Sequence, residues 1–348
     1  MCEYHVSEIK PGDKRSLRLQ DALLQKEGIE RDRNLDYSIG LFDDDYQMVA
    51  TGSCFKNTLR CMAVDSSHQG EGLLNKVVTH LMDHQFERGN RDLFLYTKCD
   101  SAKFFHDLGF YEIARVEGKV VFMENLRTGF SSYLEDLAKT RVDAERVACV
   151  VMNANPFTLG HQYLLETASA ENDVVHVFVV SEDASLVPFS VRYRLVQEGS
   201  AHLKNLVYHP TGSYIISNAT FPSYFLKDAD TVIRSHARLD IQVFKQIAAA
   251  LGVTSRYVGE EPFSQVTGIY NEVMKEELEK EGIACKVLPR KALDGKAVSA
   301  STVRVLVKEG RFEELKELVP EATYRFFTSE EAEPVIRAIR GAEEVVHY

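Results

Sequence analysis

The sequence predicts an α/β protein in two parts, a mixed α/β domain followed by a doubly wound parallel sheet with a helical tail. Three observations carry this. Downstream of residue 145, apolar runs of strand length alternate with amphipathic stretches of helix length. Upstream of residue 127, hairpin-like strands precede a mixture of helices and strands. Between them lies the polar, charged stretch "RTGFSSYLEDLAKTRVDAER", in which a short linking helix is expected. The expected division is therefore 1–127, a linker at 128–144, and 145–348.

In the first half, "YSIGLFDDDYQMVATGSCF" reads as two strands around an Asp-rich turn, and "LRCMAVD" as a third strand. A glycine-containing loop and a helix follow in "SSHQGEGLLNKVVTHLMDHQFERG", where Leu73, Val77, Val78, Leu81 and Met82 share one face. Then come a strand in "DLFLYTK", a helix in "SAKFFHDLG" and a strand in "FYEIARV".

In the second half, strands are expected at 147–152, 174–180, 206–209, 230–234, 256–259 and 283–288. Helices are expected at 160–170, 190–203, 240–251 and 267–281, with another after "VSAST". "FEELKELVPEATYRFFTSEEAEPVIRAIRG" reads as a helical tail packed on the sheet. Ligands of such sheets sit outside the carboxyl ends of the strands, so the loops after 152, 180, 234, 259 and 288 should converge.

Bulk properties exclude several classes. At 348 residues and 45% hydrophobic, the chain can build about two cores. A formal charge of −11 disfavours nucleic acid as a partner. The six cysteines show neither CxxC nor a zinc-like spacing and read as reduced thiols. "MCEYHVSEIKPGDKR" is too charged for a signal peptide, and no apolar run approaches the ~18 residues of a membrane span. A soluble cytoplasmic protein without a membrane partner is expected.

The stretch "NANPFTLGHQYLLETA" (153–168) takes a strand into a turn and a helix. Gly160 would let a phosphate approach the backbone, and the helix start favours an anion by ~0.3–1 kcal/mol. Thr158 and His161, three apart, could both donate to one phosphate oxygen; an ordinary helix start, with Thr158 near the cap and His161 solvated, fits equally. "VSASTVRVLVKEG" (298–310) offers a second anion cradle, with Ser299 or Ser301 as cap, Thr302 beside it and Arg304 one turn in. The plain alternative is a well-capped surface helix. Two cradles on one sheet suggest a triphosphate between two helix starts.

These residues carry a resemblance. Thr158-Leu159-Gly160-His161, after Asn155-Pro156-Phe157, resembles the (H/T)xGH signature of the nucleotidylyltransferase superfamily, and 298–304 resembles its ISSTxxR partner. The first histidine of the common form is threonine here, and no KMSKS-type lysine loop of tRNA synthetases is present. Together with "SEDASLVPFSVRYRLVQEG", "GSYIISNATFPSYFLKD" and "RYVGEEPFSQVTGIYN", in this order, the motifs resemble the citrate (pro-3S)-lyase ligase family over about 145 to 330. In the first half, "VDSSHQGEGLLNKVV" resembles the acetyl-CoA loop of GNAT acetyltransferases through Gln69, Gly70 and Gly72. Leu74 departs from its final small residue, and a plain glycine loop is the alternative. "LYTKCDSAKFFHDLGFYEI" resembles the later GNAT segment.

The resemblance implies an enzyme that uses ATP, with magnesium carried on it, to activate acetate as acetyl-adenylate. The acetyl group then passes to the thiol of a phosphoribosyl-dephospho-CoA arm on the citrate lyase acyl carrier subunit. It implies His161, Thr158 and Arg304 as catalytic groups, with Asn155, Phe157, Gly160, Gly259, Glu260, Ser301 and Thr302 at the nucleotide. Gln69, Gly70 and Gly72 would hold the CoA-like arm. No protein ligand to magnesium is singled out. Gly259 and Glu260 follow a strand end, where Glu260 could take a ribose hydroxyl or simply face water. One of Arg192 and Arg194 could reach pyrophosphate. His236 is a candidate base for thiol attack, although a solvated histidine is the simpler reading. Two rival functions remain: an adenylyltransferase of the phosphopantetheine or mononucleotide type, and a GNAT acetyltransferase with a nucleotide-sensing second half.

Overall fold

The computed structural model describes residues 4–32, 34–181, 185–215, 229–260, 265–290, 292–293, 296–343 and 345. Two compact units divide the chain: Met1–Tyr133 with Phe221–Gln242, and Leu134–Thr220 with Val243–Tyr348.

The first unit contains β1 (His5–Glu8), α1 (Lys14–Lys26), β2 (Tyr37–Phe42), β3 (Met48–Phe55), β4 (Thr58–Val64) and α2 (Leu73–Glu87). After these come β5 (Phe94–Thr97), α3 (Ala102–Asp107), β6 (Tyr111–Val116) and β7 (Val120–Glu124). Helix α4 (Gly129–Ala138) spans the division between the units. The seven strands form one sheet in the order β1-β2-β3-β4-β5-β7-β6, antiparallel except for β4 beside β5. That parallel pair is joined at Thr58–Phe94 and Leu59–Leu95, while β4 runs on to Val64 and β5 to Thr97. Their carboxyl ends therefore splay. Leu73, Val77, Val78 and Leu81 of α2 join Ile39, Leu41 and Phe105 in one core, as their helical spacing predicts. Leu23 and Leu24 of α1 pack with Met48, Cys61 and Ala63 in another.

The second unit contains β8 (Val147–Met152), α5 (Leu159–Glu171), β9 (Val174–Val179), α6 (Phe189–Gly199) and β10 (Leu206–Pro210). Next come α7 (Ala229–Leu251), which both units share, β11 (Ser255–Gly259), α8 (Gln265–Glu279) and β12 (Ala284–Leu288). A small hairpin, β13 (Ala292–Leu293) and β14 (Lys296–Ala297), leads into α9 (Ala300–Glu309), α10 (Glu321–Phe327) and α11 (Glu333–Gly341). Five strands form an all-parallel sheet in the order β10-β9-β8-β11-β12. The fold class is as expected: a mixed α/β sheet, then a doubly wound sheet with a helical tail. Phe326, Val335, Ile336 and Ile339 of the tail share a core with Val150, Leu165 and Val307. The winding leaves β8 toward β9 on one side and reaches β11 on the other, so the switch point lies at the end of β8.

One expected strand is absent. Residues 230–234 lie inside α7, which also contains the helix expected at 240–251, so the loop expected after 234 does not exist. Buried Ala237, Ile241, Phe244, Ala248 and Leu251 recur at helical spacing. The β-branched triplet Thr231-Val232-Ile233 is too short to distinguish strand from helix by itself. Three elements of the first unit escaped the sequence reading: β1, α1 and β7. Helix α1 did carry a start signal, because Asp13 caps it by accepting the Arg15 and Ser16 N–H groups, both at 3.1 Å.

The parallel sheet buries a histidine pair. His176 Nδ1 lies 2.9 Å from His209 Nε2, and both rings are under 5% exposed. Burial pushes His176 down to about 4, and burial with the neighbouring His176 pushes His209 down to about 4. An unfolded histidine titrates near ~6.5, so below that pH the unfolded chain takes up protons that the folded pair refuses. The contribution is complete above about pH 6.5 and is lost as pH falls toward 4. The thermal midpoint should therefore drop on acidification through this window, and a His176→Phe/His209→Phe variant should show a shallower slope. Equal slopes in scanning calorimetry would rule the pair out as the source.

Candidate active site

At the switch point the chain leaves β8 at Met152 and enters α5 through Asn153–Thr158. Thr158 is extended (φ −122°, ψ 168°) and caps the helix. Its hydroxyl accepts the His161 N–H at 3.4 Å, while His161 Nδ1 accepts the Thr158 N–H at 3.1 Å. This is a capping box with imidazole in place of the usual carboxylate. Because Nδ1 is used as an acceptor, the proton of the neutral ring resides on Nε2. Phe157 stacks on the imidazole, with centroids 5.8 Å apart and an interplanar angle of 17°. Burial, aided by the charge of Arg290, pushes the imidazole down to about 4, so the ring is neutral at pH 7.

Ser299 caps α9 by accepting the Thr302 N–H at 3.1 Å. The starts of α5 and α9 lie side by side, since a Cβ on Gly160 would stand 3.3 Å from the Val298 carbonyl oxygen. Gly160 was expected to make room for a phosphate, and the structure adds that it makes room for the second helix start. Arg304 ties the two together: Nη1 donates to the Asn155 carbonyl and Nε to the Val345 carbonyl at 2.6 Å. Burial lowers its pKa to about 10, so it stays charged at neutral pH.

Both helix starts open on one cavity of about 380 Å³. Thr158, His161, Gly160, Asn155, Gly259, Glu260, Ser301 and Arg304 all line it, together with Ser299 and Arg290. Asn155 is 2% exposed, and its Oδ1 accepts the Val187 N–H at 3.1 Å. Two residues expected at the nucleotide are not on the wall. Phe157 is fully buried, and a Cβ on Gly199 would come within 2.7 Å of its ring, so it seats the imidazole from behind. Thr302 is exposed on the first turn of α9, its hydroxyl 2.8 Å from that of Ser299.

Arg192 and Arg194 are also elsewhere. Arg192 is fully buried, donating to the Val187, Asn153 and Val180 carbonyls at 2.7–2.9 Å, and so holds the loops after β8 and β9. Arg194 pairs with Glu331 at 2.7 Å. His236, a candidate base for thiol attack with a solvated ring as the simpler reading, is 4% exposed and lines neither cavity. Glu261, Pro262 and most of 212–228 lie outside the described residues. Arg290 was missed, although it lies two residues past β12, in one of the carboxyl-end loops expected to converge.

The first unit has its own cavity of about 690 Å³, where β4 and β5 splay. Met62, Val64, Tyr96, Phe104 and Phe105 give it an apolar wall, and Gln69, Gly70 and Gly72 lie at the start of α2. Gly70 and Gly72 have φ of 86° and 74°, a left-handed backbone that suits glycine. Leu74, the departure from the GNAT pattern, lies on the same wall.

Residues 147–327 match the family model described as the citrate lyase ligase C-terminal domain. The chain belongs to the citrate lyase ligase family. The citrate (pro-3S)-lyase ligase of Klebsiella pneumoniae is 40% identical over 285 residues, 80% of this chain and 83% of that protein. The Haemophilus influenzae ligase is 37% identical over 320 residues, 90% of this chain and 96% of that protein. The Escherichia coli K12 ligase is 37% identical over 306 residues, covering 85% and 87%. Among solved structures, a GNAT-family acetyltransferase from Staphylococcus aureus aligns with 35% of this chain and 98% of its own. It does so at 17% identity and a TM-score of 0.30.

The capping box sets one measurable property. The His161 ring should titrate below pH 5 when followed by NMR, well under the ~6.5 of a free imidazole. A midpoint near 6.5 would show that the ring is not buried in this tautomer.

Proposed function

We propose that the second unit joins acetate to the α-phosphate of ATP, and that the chain then transfers the acetyl group to a thiol on the acyl carrier subunit of citrate lyase. One observation carries the reading: in a chain of this ligase family, the Thr158–His161 capping box and the Ser299–Ser301 helix start face one cavity at the switch point.

In the first step an acetate oxygen attacks the α-phosphorus, the bond to the bridging oxygen breaks, and diphosphate leaves. A carboxylic acid with a pKa of about 4 is ionised at pH 7, so no general base is required. The residues need only position the two anions and meet charge on the phosphoryl oxygens. Neutral His161 would donate through Nε2 to the α-phosphate, held by the capping box and by Phe157 behind it. Ser301 and the α9 start would take the outer phosphates, with Arg304 supplying buried positive charge beneath both helix starts. Gly259 and Glu260 would border the ribose. Glu260 is the one carboxylate on the described wall, so magnesium would be carried by phosphate oxygens and water and would neutralise part of their charge.

In the second step the thiol sulfur attacks the acetyl carbonyl carbon, the bond to AMP breaks, and the thiol proton is released. The first unit's cavity suits the CoA-like arm: an apolar cleft for a pantetheine-like chain, with Gln69, Gly70 and Gly72 at the helix start for a pyrophosphate. We place the protein in the cytoplasm, where the free thiols at 54, 61, 99, 149 and 285 stay reduced.

Two variants test the division of labour. His161→Ala should lower the kcat of acetate-dependent ATP–diphosphate exchange by ~10²–10³, the cost of one lost oxyanion donor. Near-normal exchange would remove His161 from the mechanism. Leu74→Trp, which narrows the first cavity, should impair acetyl loading of the carrier while exchange persists. Unchanged loading would place the arm elsewhere.

A further inference from the structure

Acetate, the second substrate of the proposed adenylation, needs a partner for its carboxylate. The described wall of the second cavity carries a side-chain donor whose demand is unmet. Asn155 lines this cavity and is 2% exposed. Its Nδ2 is buried and, among the described residues, has no hydrogen-bond partner. An unpaired buried donor is costly, and native structures leave few of them.

The amide is held in place from several directions. Arg192, itself fully buried, donates through Nη1 to the Asn153 carbonyl at 2.8 Å and to Asn153 Oδ1 at 2.9 Å. Arg304 donates to the Asn155 carbonyl from the other side. The Val187 N–H, at 3.1 Å, identifies the oxygen end of the Asn155 amide and leaves the NH₂ end facing away from it. Asn153 is different, because its Nδ2 donates to Ser185 Oγ at 3.0 Å and both ends of its amide are satisfied.

Its position in the sheet matches the side from which the acid must come. The Asn155 side chain reaches toward Val187, in the loop after β9, whereas Gly259 and Glu260 lie at the end of β11, on the other side of β8. In an in-line displacement the attacking oxygen approaches phosphorus opposite the departing diphosphate. With the outer phosphates at the α9 start and the ribose at the end of β11, the β9 side of the cavity is left to the acid.

We propose that Asn155 binds the carboxylate of acetate, donating through Nδ2 to the oxygen that does not attack and so aiming the other at the α-phosphorus. The assignment rests on the adenylation reading and supplies its second substrate with a residue. It moves Asn155 from the nucleotide, where the family resemblance put it, to the acid. A neutral donor suits the task, since it orients a carboxylate without cancelling the charge that makes it a nucleophile.

Asn155→Leu removes the donor at nearly constant size and adds no charge. In acetate-dependent ATP–diphosphate exchange by the full-length chain, the KM for acetate should rise about tenfold to a hundredfold, the loss of a hydrogen bond to a charged group. The KM for ATP should stay unchanged. A second measurement needs no variant. In the isotope-labelled wild-type chain, the Asn155 side-chain amide protons should move downfield when acetate is added to the complex with a non-hydrolysable ATP analogue. An equal rise in both KM values, a rise in neither, or an amide signal that answers to the analogue and not to acetate would overturn the assignment. Failure of the adenylation reading looks different: the wild-type chain itself would show no acetate-dependent exchange, and the assignment would fall with it.

Discussion

The arrangement of the second unit depends on how closely two helix starts can approach. Helices α5 and α9 meet where the missing side chain of Gly160 lets the Val298 carbonyl come near. Arg304 then spans from α9 to the turn after β8. Each helix start presents backbone N–H groups and a partial positive charge, so bringing two together is electrostatically unfavourable in the absence of an anion. Side-chain caps at Thr158 and Ser299 satisfy part of this demand from within. What remains is a hollow whose fixed dipoles point inward, the kind of preorganised environment that favours developing negative charge.

Within that hollow one imidazole is held in a single protonation state and tautomer. A histidine at the third position of a capping box gives up Nδ1 to the backbone and is left with a single outward donor. Burial keeps it neutral, which removes it as an acid at neutral pH and leaves it as a hydrogen-bond donor of fixed direction. Phe157, fully buried behind the ring, prevents it from rotating away. The threonine at the first position of the (H/T)xGH signature has a structural consequence here. Its hydroxyl sits 2.9 Å from His161 Nδ1, so the two residues of the signature act on each other.

Periodicity and glycine placement made the broad design legible, because alternation of strand-length and helix-length runs is a local property of the chain. The convergence of Thr158, His161, Ser301 and Arg304 on one cavity followed from helix starts at the carboxyl end of a parallel sheet. Other features depended on tertiary packing. Residues 230–234 look like a strand until burial at 237, 241 and 244 shows a helical face. Phe157 and Arg192 sit in motifs that suggest ligand contact, yet one serves as packing and the other pins carbonyl groups, and neither role has a signature in composition. Arg290 was hidden for the opposite reason. It stands outside any helix start, in the loop after β12 that leads into the β13–β14 hairpin.

Among the described residues, the chain's own cysteines are poorly placed to accept an acyl group. A thiolate is the reactive form, and burial works against it. Cys54, Cys61 and Cys149 are pushed up to about 12, chiefly by burial, and the Cys285 thiol is raised by the same cause. Cys99 points its thiol at the Val116 carbonyl, 3.5 Å away. None of these five is among the residues lining either cavity. A covalent acyl-enzyme on these sulfurs would need a buried thiol to ionise and reach a cavity it does not line. An acetyl group activated on the parallel sheet is therefore poorly matched to any of these five thiols. A thiol on a long arm carried by another protein, as proposed above, would avoid both obstacles, and the apolar cleft at the β4–β5 splay has the character to receive a pantetheine-like stem.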